Sequence, residues 1–169
     1  MRHFYIIALA LVPFVFWHPD WMMRCPFTAQ FLHANIFHLA ANIWVLYCLS
    51  KSPYLTRQHY FLCYLLASAC LYLNSQLPIS NYQLSIFNFQ LSTINYQLSI
   101  IGLSGLIYAL LALLSYRFHA RARLQYHLLS LSFIALGFII PSLAGMFHLM
   151  CYASGLVLGL LVLPLINSK

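Results

Sequence analysis

Six apolar runs separated by short polar joints dominate this chain, and they leave it almost no way to fold in water. They cover roughly Phe4–Trp17, Phe31–Leu49, Gln58–Leu73, Ile100–Phe118, Leu124–Ile140 and Leu143–Ile166. Of the 169 residues, 63% are hydrophobic and only 5% are charged, whereas a soluble domain carries about a quarter charged residues. A single water-soluble core of this size cannot enclose so much apolar surface, so the bilayer must solvate most of it. The expectation is an all-α membrane protein, a bundle of six transmembrane helices forming one domain over residues 1–169. Several runs are shorter than the ~20 residues that cross a typical hydrocarbon core. The first, behind Arg2, has some features of a signal peptide, but no small-residue cleavage site follows it. Trp17, His18, Pro19, Asp20 and Trp21 read instead as an interfacial exit with aromatic anchors, so a retained helix is expected.

The basic residues orient these helices. The formal net charge is +7, but the lysines and arginines stand singly between apolar segments, which argues against a phosphate-binding face and against nucleic acid as a partner. Arg2, Lys51, Arg57, Arg117, Arg121, Arg123 and Lys169 fall at the N-terminus, in loops 2 and 4, and at the C-terminus. Arg24 alone falls in loop 1. The positive-inside rule then places both termini in the cytoplasm and loops 1, 3 and 5 outside.

A short repeat interrupts loop 3. Asn74-Ser-Gln-Leu-Pro-Ile-Ser is followed by units beginning at Asn81, Asn88 and Asn95, a period of seven. Within a unit the apolar residues alternate (Tyr82, Leu84, Ile86), a strand pattern and not a coiled-coil one. Its asparagines and glutamines make a spanning helix costly. The segment at about 74–100 reads as a duplicated insertion between spans 3 and 4.

Asp20 is the only side-chain carboxylate in the chain. That excludes an aspartyl protease, which needs two, and an H-E-x-x-H zinc site, which needs a glutamate. It also disfavours acid-lined proton or cation pathways. Chemistry must therefore run on hydroxyls, thiols, imidazoles or amides. Of the five cysteines, Cys48, Cys63, Cys70 and Cys151 lie in apolar segments and read as small buried hydrophobes, not as a disulfide framework.

Three polar constellations remain. Gly102-Leu103-Ser104-Gly105 opens the fourth run: glycines allow close approach of a substrate backbone, and a serine N–H at a helix start can donate to an oxyanion. The same tetrapeptide also serves plain helix packing. His148, near the start of the sixth run, is an isolated imidazole in an apolar segment, where it needs a polar or wet cavity. It is suited to accept a serine proton. His38 and Asn42 lie one turn apart on the second span, with His33 projecting away from them if that helix already includes it. They are either oxyanion donors or interhelical hydrogen-bonding residues. Ligation of haem or a metal by His33, His38 and His148, with Cys151 one turn from His148, is the competing chemistry. With the topology above, His38, Ser104 and His148 all lie near the outer ends of their spans, at one membrane depth.

The combination Thr28-x-x-Phe31-Leu32-His33-x-x-x-x-His38-x-x-x-Asn42, Gly102-x-Ser104-Gly105-x-x-Tyr108, and His148 before a small-residue helix resembles the rhomboid family of intramembrane serine proteases, over about Trp21 to Gly159. The resemblance implies Ser104 as nucleophile and His148 as base, a dyad without a third member. It implies His38, Asn42 and the Ser104 N–H as the oxyanion site, and His33, Gly102, Gly105, Tyr108 and Gly155 as structural residues near it. Tyr108 would pack beside the His148 ring. Cys151 stands where the family usually has a glycine, at the approach of the fourth and sixth helices. The implied substrate is the transmembrane segment of another membrane protein, with the lipid bilayer as medium and neither cofactor nor metal. The implied location is the bacterial cytoplasmic (inner) membrane, as a multi-pass protein. A catalytically inactive relative that binds and retains membrane clients is the alternative within the family.

Overall fold

The computed structural model describes residues 20–33, 35–76, 102–139 and 144–166. The expected first span, and the repeat beyond Gln76, lie outside the described residues. Among the described residues there are seven helices: α1 (Asp20–Arg24), α2 (Pro26–Ala29), α3 (Ile36–Ser50), α4 (Arg57–Gln76), α5 (Ser104–Ser115), α6 (Ala120–Ile139) and α7 (Gly145–Ile166). No strand occurs among the described residues. The fold is that of an all-α membrane protein. Two stretches, Ala120–Ile139 and Gly145–Val162, are long and apolar enough to cross a bilayer by themselves.

α5 sits at the centre. Nine of its twelve residues are buried, Ser104 and Gly105 at its start among them. α3 and α4 wrap one side through Leu39, Leu46, Tyr60 and Cys63, and α7 closes the other through Phe147, Cys151 and Tyr152. The outer faces carry exposed Trp44, Phe61, Leu129, Phe133 and Leu161. Such faces suit acyl chains, because lipid is as apolar as the side chains themselves.

The seam between α5 and α7 is built on small residues. A Cβ added at Gly155 would lie 2.8 Å from the Ala109 Cα, and one at Gly159 would strike the Tyr116 ring. Backbone approach of this kind gives dispersion contact where no hydrophobic drive exists between helices. At 1.5 Å per residue, α5 is only about 18 Å long, against a hydrocarbon core of about 30 Å. A helix this short cannot bring both its ends to the two membrane surfaces.

Several boundaries differ from the sequence reading. The second span was expected from Phe31, but α3 begins at Ile36. Asn35 is the reason: its side chain accepts a hydrogen bond from the His38 N–H at 2.8 Å, an N-cap that stops the helix from running further back. His33 is therefore outside the helix. The fourth span was expected over Ile100–Phe118 and is helical only over Ser104–Ser115. Loop 1 contains α1 and α2, which hydropathy alone did not suggest. Gln30 donates to the Ser68 hydroxyl at 2.6 Å, and the Tyr64 hydroxyl donates to the Phe27 carbonyl at 2.6 Å, so this loop is fastened to α4. Of the four cysteines expected to be buried, Cys63, Cys70 and Cys151 are, while Cys48 lies on the exposed face of α3.

Candidate active site

Three helix starts converge. His38 is the third residue of α3, Ser104 the first of α5 and His148 the fourth of α7. Each start has a local cause. Asn35 caps α3. Gly102, at φ +135°, turns the chain into α5 through a backbone region that other residues rarely adopt. Ala144, at φ +48°, makes a comparable turn into α7, a strained position for a residue with a Cβ.

The His148 Nε2 and the Ser104 Oγ are 2.8 Å apart, and both residues are buried. The Tyr108 ring stacks on the imidazole, with centroids 4.5 Å apart and planes at 29°. The Phe147 ring lies 5.7 Å from it, tilted by 42°. The imidazole is thus in contact with rings from both α5 and its own helix. A serine hydroxyl bonded to a neutral imidazole can pass its proton to Nε2 as Oγ attacks an electrophile. The chain's one acidic side chain, that of Asp20, belongs to α1.

Polar side chains of α3 face Gly102. A Cβ added at Gly102 would lie 2.9 Å from the His38 Cε1 and 3.2 Å from the Asn42 Nδ2. The His38 ring and the Asn42 amide therefore lean directly over the Gly102 backbone, two residues before Ser104. Gly102 is glycine for two reasons at once, its φ and this close approach. The Asn42 Nδ2 is buried and has no hydrogen-bond partner among the described residues. A buried unpaired amide donor is costly and so calls for a ligand. The Ser104 N–H, at the first position of α5, belongs to the helix-start amides that have no partner within the helix. His33 lies before α3, so the helical-wheel condition on it does not apply, and it stands close to His38. Its ring stands edge-on to His38 at 5.4 Å, with Nδ1 3.0 Å from the Phe31 carbonyl.

Cys151 does not hold the helices apart. It is fully buried, facing Gly105, where an added Cβ would lie 3.1 Å from its sulfur. The missing Cβ on Gly105 makes room for the thiol. Among the described residues, no three histidines, cysteines or acidic residues are grouped to hold a metal ion.

A family profile described as the Rhomboid domain matches residues 20–167. This chain belongs to the rhomboid family. Rhomboids are, in general, serine proteases that act on membrane proteins within the bilayer. Neither a search of curated proteins nor one of solved structures gives a significant match. Phe147, Asn35 and Ala144 were not singled out from the sequence, although Asn35 had a usable signal: a favoured capping residue immediately before an apolar helix.

Proposed function

We propose that this rhomboid is an active intramembrane serine endopeptidase, with Ser104 as nucleophile and His148 as general base. The observation that carries the reading is the buried 2.8 Å contact between Ser104 Oγ and His148 Nε2. Attack of Oγ on a scissile carbonyl transfers its proton to Nε2. The resulting oxyanion is met by the Ser104 N–H, the Asn42 amide and the His38 imidazole. His148 then returns the proton to the leaving amine, and water hydrolyses the acyl-enzyme by the same path. The substrate is the transmembrane segment of another membrane protein, cut where it can unwind, because peptide bonds in an intact helix are shielded. The decisive test is gel-based cleavage of a model transmembrane substrate, wild type beside Ser104→Ala. A wild type that cleaves nothing removes the protease reading and leaves client binding.

Oxyanion stabilisation by α3 gives a graded prediction. Removing one donor from a serine protease oxyanion site costs about 10²–10³ in kcat. Asn42→Ala is expected to lower the cleavage rate by a factor in that range while leaving the unfolding midpoint nearly unchanged, because the amide has no partner to lose. An unaltered rate would take Asn42 out of the site.

The proposed architecture has six spans in a single domain, with both termini cytoplasmic and the site opening outward. Its support is the distribution of lysine and arginine. In a cysteine-free background, Ser80→Cys is expected to react with an impermeant maleimide from outside. Ala122→Cys and Lys169→Cys should react only after permeabilisation. Labelling of Ala122→Cys from outside would put the three helix starts on the wrong face.

The repeat is assigned no catalytic part. Loop-closure entropy grows slowly with length, so its two middle units should cost ~1 kcal/mol or less. Deleting Asn81–Ile94 is expected to preserve both monodispersity in detergent and cleavage. Loss of cleavage in a monodisperse deletion variant would instead make the segment a gate or substrate platform.

A further inference from the structure

Beneath the dyad lie two thiols that the mechanism does not use. Cys70 on α4 and Cys151 on α7 are both buried in one apolar cluster with Ala67 and Phe147. The Cys70 sulfur also lies 3.8 Å from the Ser154 hydroxyl, one turn further along α7. All five cysteines are in the thiol form. Cys151 follows His148 by three residues, so its sulfur and the imidazole share a helix face. The same sulfur fills the space over Gly105, next to Ser104. Any movement of Cys151 toward α4 therefore acts on the two ends of the Ser104–His148 contact.

We propose that Cys70 and Cys151 are a reversible oxidation site, whose disulfide ties α4 to α7 and disables the serine–histidine pair. The oxidant class is a lipid-soluble hydroperoxide, which partitions into the bilayer where these thiols lie. Cys70, at 7% exposure against 0% for Cys151, is the first to react. Its sulfur attacks one peroxide oxygen, the O–O bond breaks, and the alkoxide leaves as an alcohol with the thiol proton. The product is a sulfenic acid on Cys70. The Cys151 sulfur then attacks the Cys70 sulfur, the S–O bond breaks, and hydroxide leaves as water with the Cys151 proton. Two electrons pass from the thiols to the peroxide, and a dithiol reductant reverses the change.

The consequence follows from covalent geometry. To bond, the sulfurs must close to about 2.05 Å, with the Cβ atoms about 3.8 Å apart. That draws Cys151 off Gly105 and turns α7, carrying His148 away from Ser104. A misplacement of about 1 Å at reacting groups can cost on the order of 100-fold in rate. The regulatory half of this inference rests on the protease reading above, whereas the covalent half does not.

Full-length protein in detergent micelles is treated with cumene hydroperoxide, digested under non-reducing conditions and analysed by mass spectrometry. A Cys70–Cys151 cross-linked peptide, an unfolding midpoint shifted upward, and a cleavage rate lowered roughly tenfold or more are expected. Dithiothreitol should reverse all three. Cys70→Ser should keep its rate through the same treatment, with Cys70→Ala as the second variant if the serine form does not fold. The proposal is overturned by three results: a cross-link through Cys63, no cross-link while the exposed Cys48 is oxidised, or a cross-link with the rate unchanged. Equal peroxide inhibition of wild type and Cys70→Ser also overturns it. If reduced wild type cleaves nothing, the protease reading and the regulatory half fall together, while the cross-link still decides the covalent half.

Discussion

Cleavage of a model transmembrane substrate is expected to vanish in Ser104→Ala and in His148→Ala, and the double variant should be no slower than either. The reason is that each residue works only through the other. Oγ is a weak nucleophile until Nε2, 2.8 Å away, takes its proton. In soluble serine proteases, loss of the serine or the histidine alone costs on the order of 10⁶ in kcat, about as much as removing the whole set. Asp20→Asn is the control. With one carboxylate in the chain and none assigned to the pair, this variant should keep most of its activity. A well-folded but inactive Asp20→Asn protein would mean that the imidazole has an acidic partner after all. Additive losses in the double variant would mean that Ser104 and His148 do not act as a unit.

Gly155→Ala should be the most damaging single-methyl change outside the dyad. The added Cβ meets backbone, not a movable side chain: the Ala109 Cα is 2.8 Å from its position. α5 and α7 must separate to admit it, and these are the helices that carry Ser104 and His148. Overpacking of this kind costs about 1–3 kcal/mol. The displacement should lower the cleavage rate by about 100-fold if it moves the reacting atoms by about 1 Å. Gly159→Ala is a measured contrast. There the obstruction is the Tyr116 ring, whose hydroxyl donates to the Leu156 carbonyl at 3.1 Å and which can swing aside at the loss of that bond. The ordering is the test, read as cleavage rate and unfolding midpoint in detergent. A Gly155→Ala protein matching wild type on both counts would show that the α5–α7 seam is slack.

Composition and pattern carried the reading a long way, because the bilayer imposes simple demands. An apolar run with no charge can hardly lie anywhere but in lipid, so the all-α membrane class follows from residue content alone. Ser104 and His148 stood out only as polar residues near the outer ends of apolar runs, and their roles came from the resemblance to the rhomboid family. The helix starts were harder to read. Hydropathy does not distinguish Phe31 from Ile36, since both are apolar; a capping hydrogen bond from the His38 N–H to Asn35 decides between them. The spacing of His33 and His38 sets them well apart on a helical wheel only if the helix includes His33, and it begins at Ile36.

What the sequence determined by itself is the solvent of the fold, the short list of groups able to do chemistry, and the family. Proximity was decided by tertiary structure. Residues 104 and 148 are 44 apart in the chain, and nothing local brings their side chains to 2.8 Å. That contact depends on small residues at the α5–α7 seam, on Gly102 and Ala144 at positive φ, and on the space Gly105 leaves for the Cys151 thiol. Packing of α4 on α7 likewise puts Cys70 and Cys151 into one buried cluster. A linear pattern states which residues are apolar, small or polar. It does not state which backbones meet closely enough for a missing Cβ to matter, because close packing is a property of the whole assembled bundle.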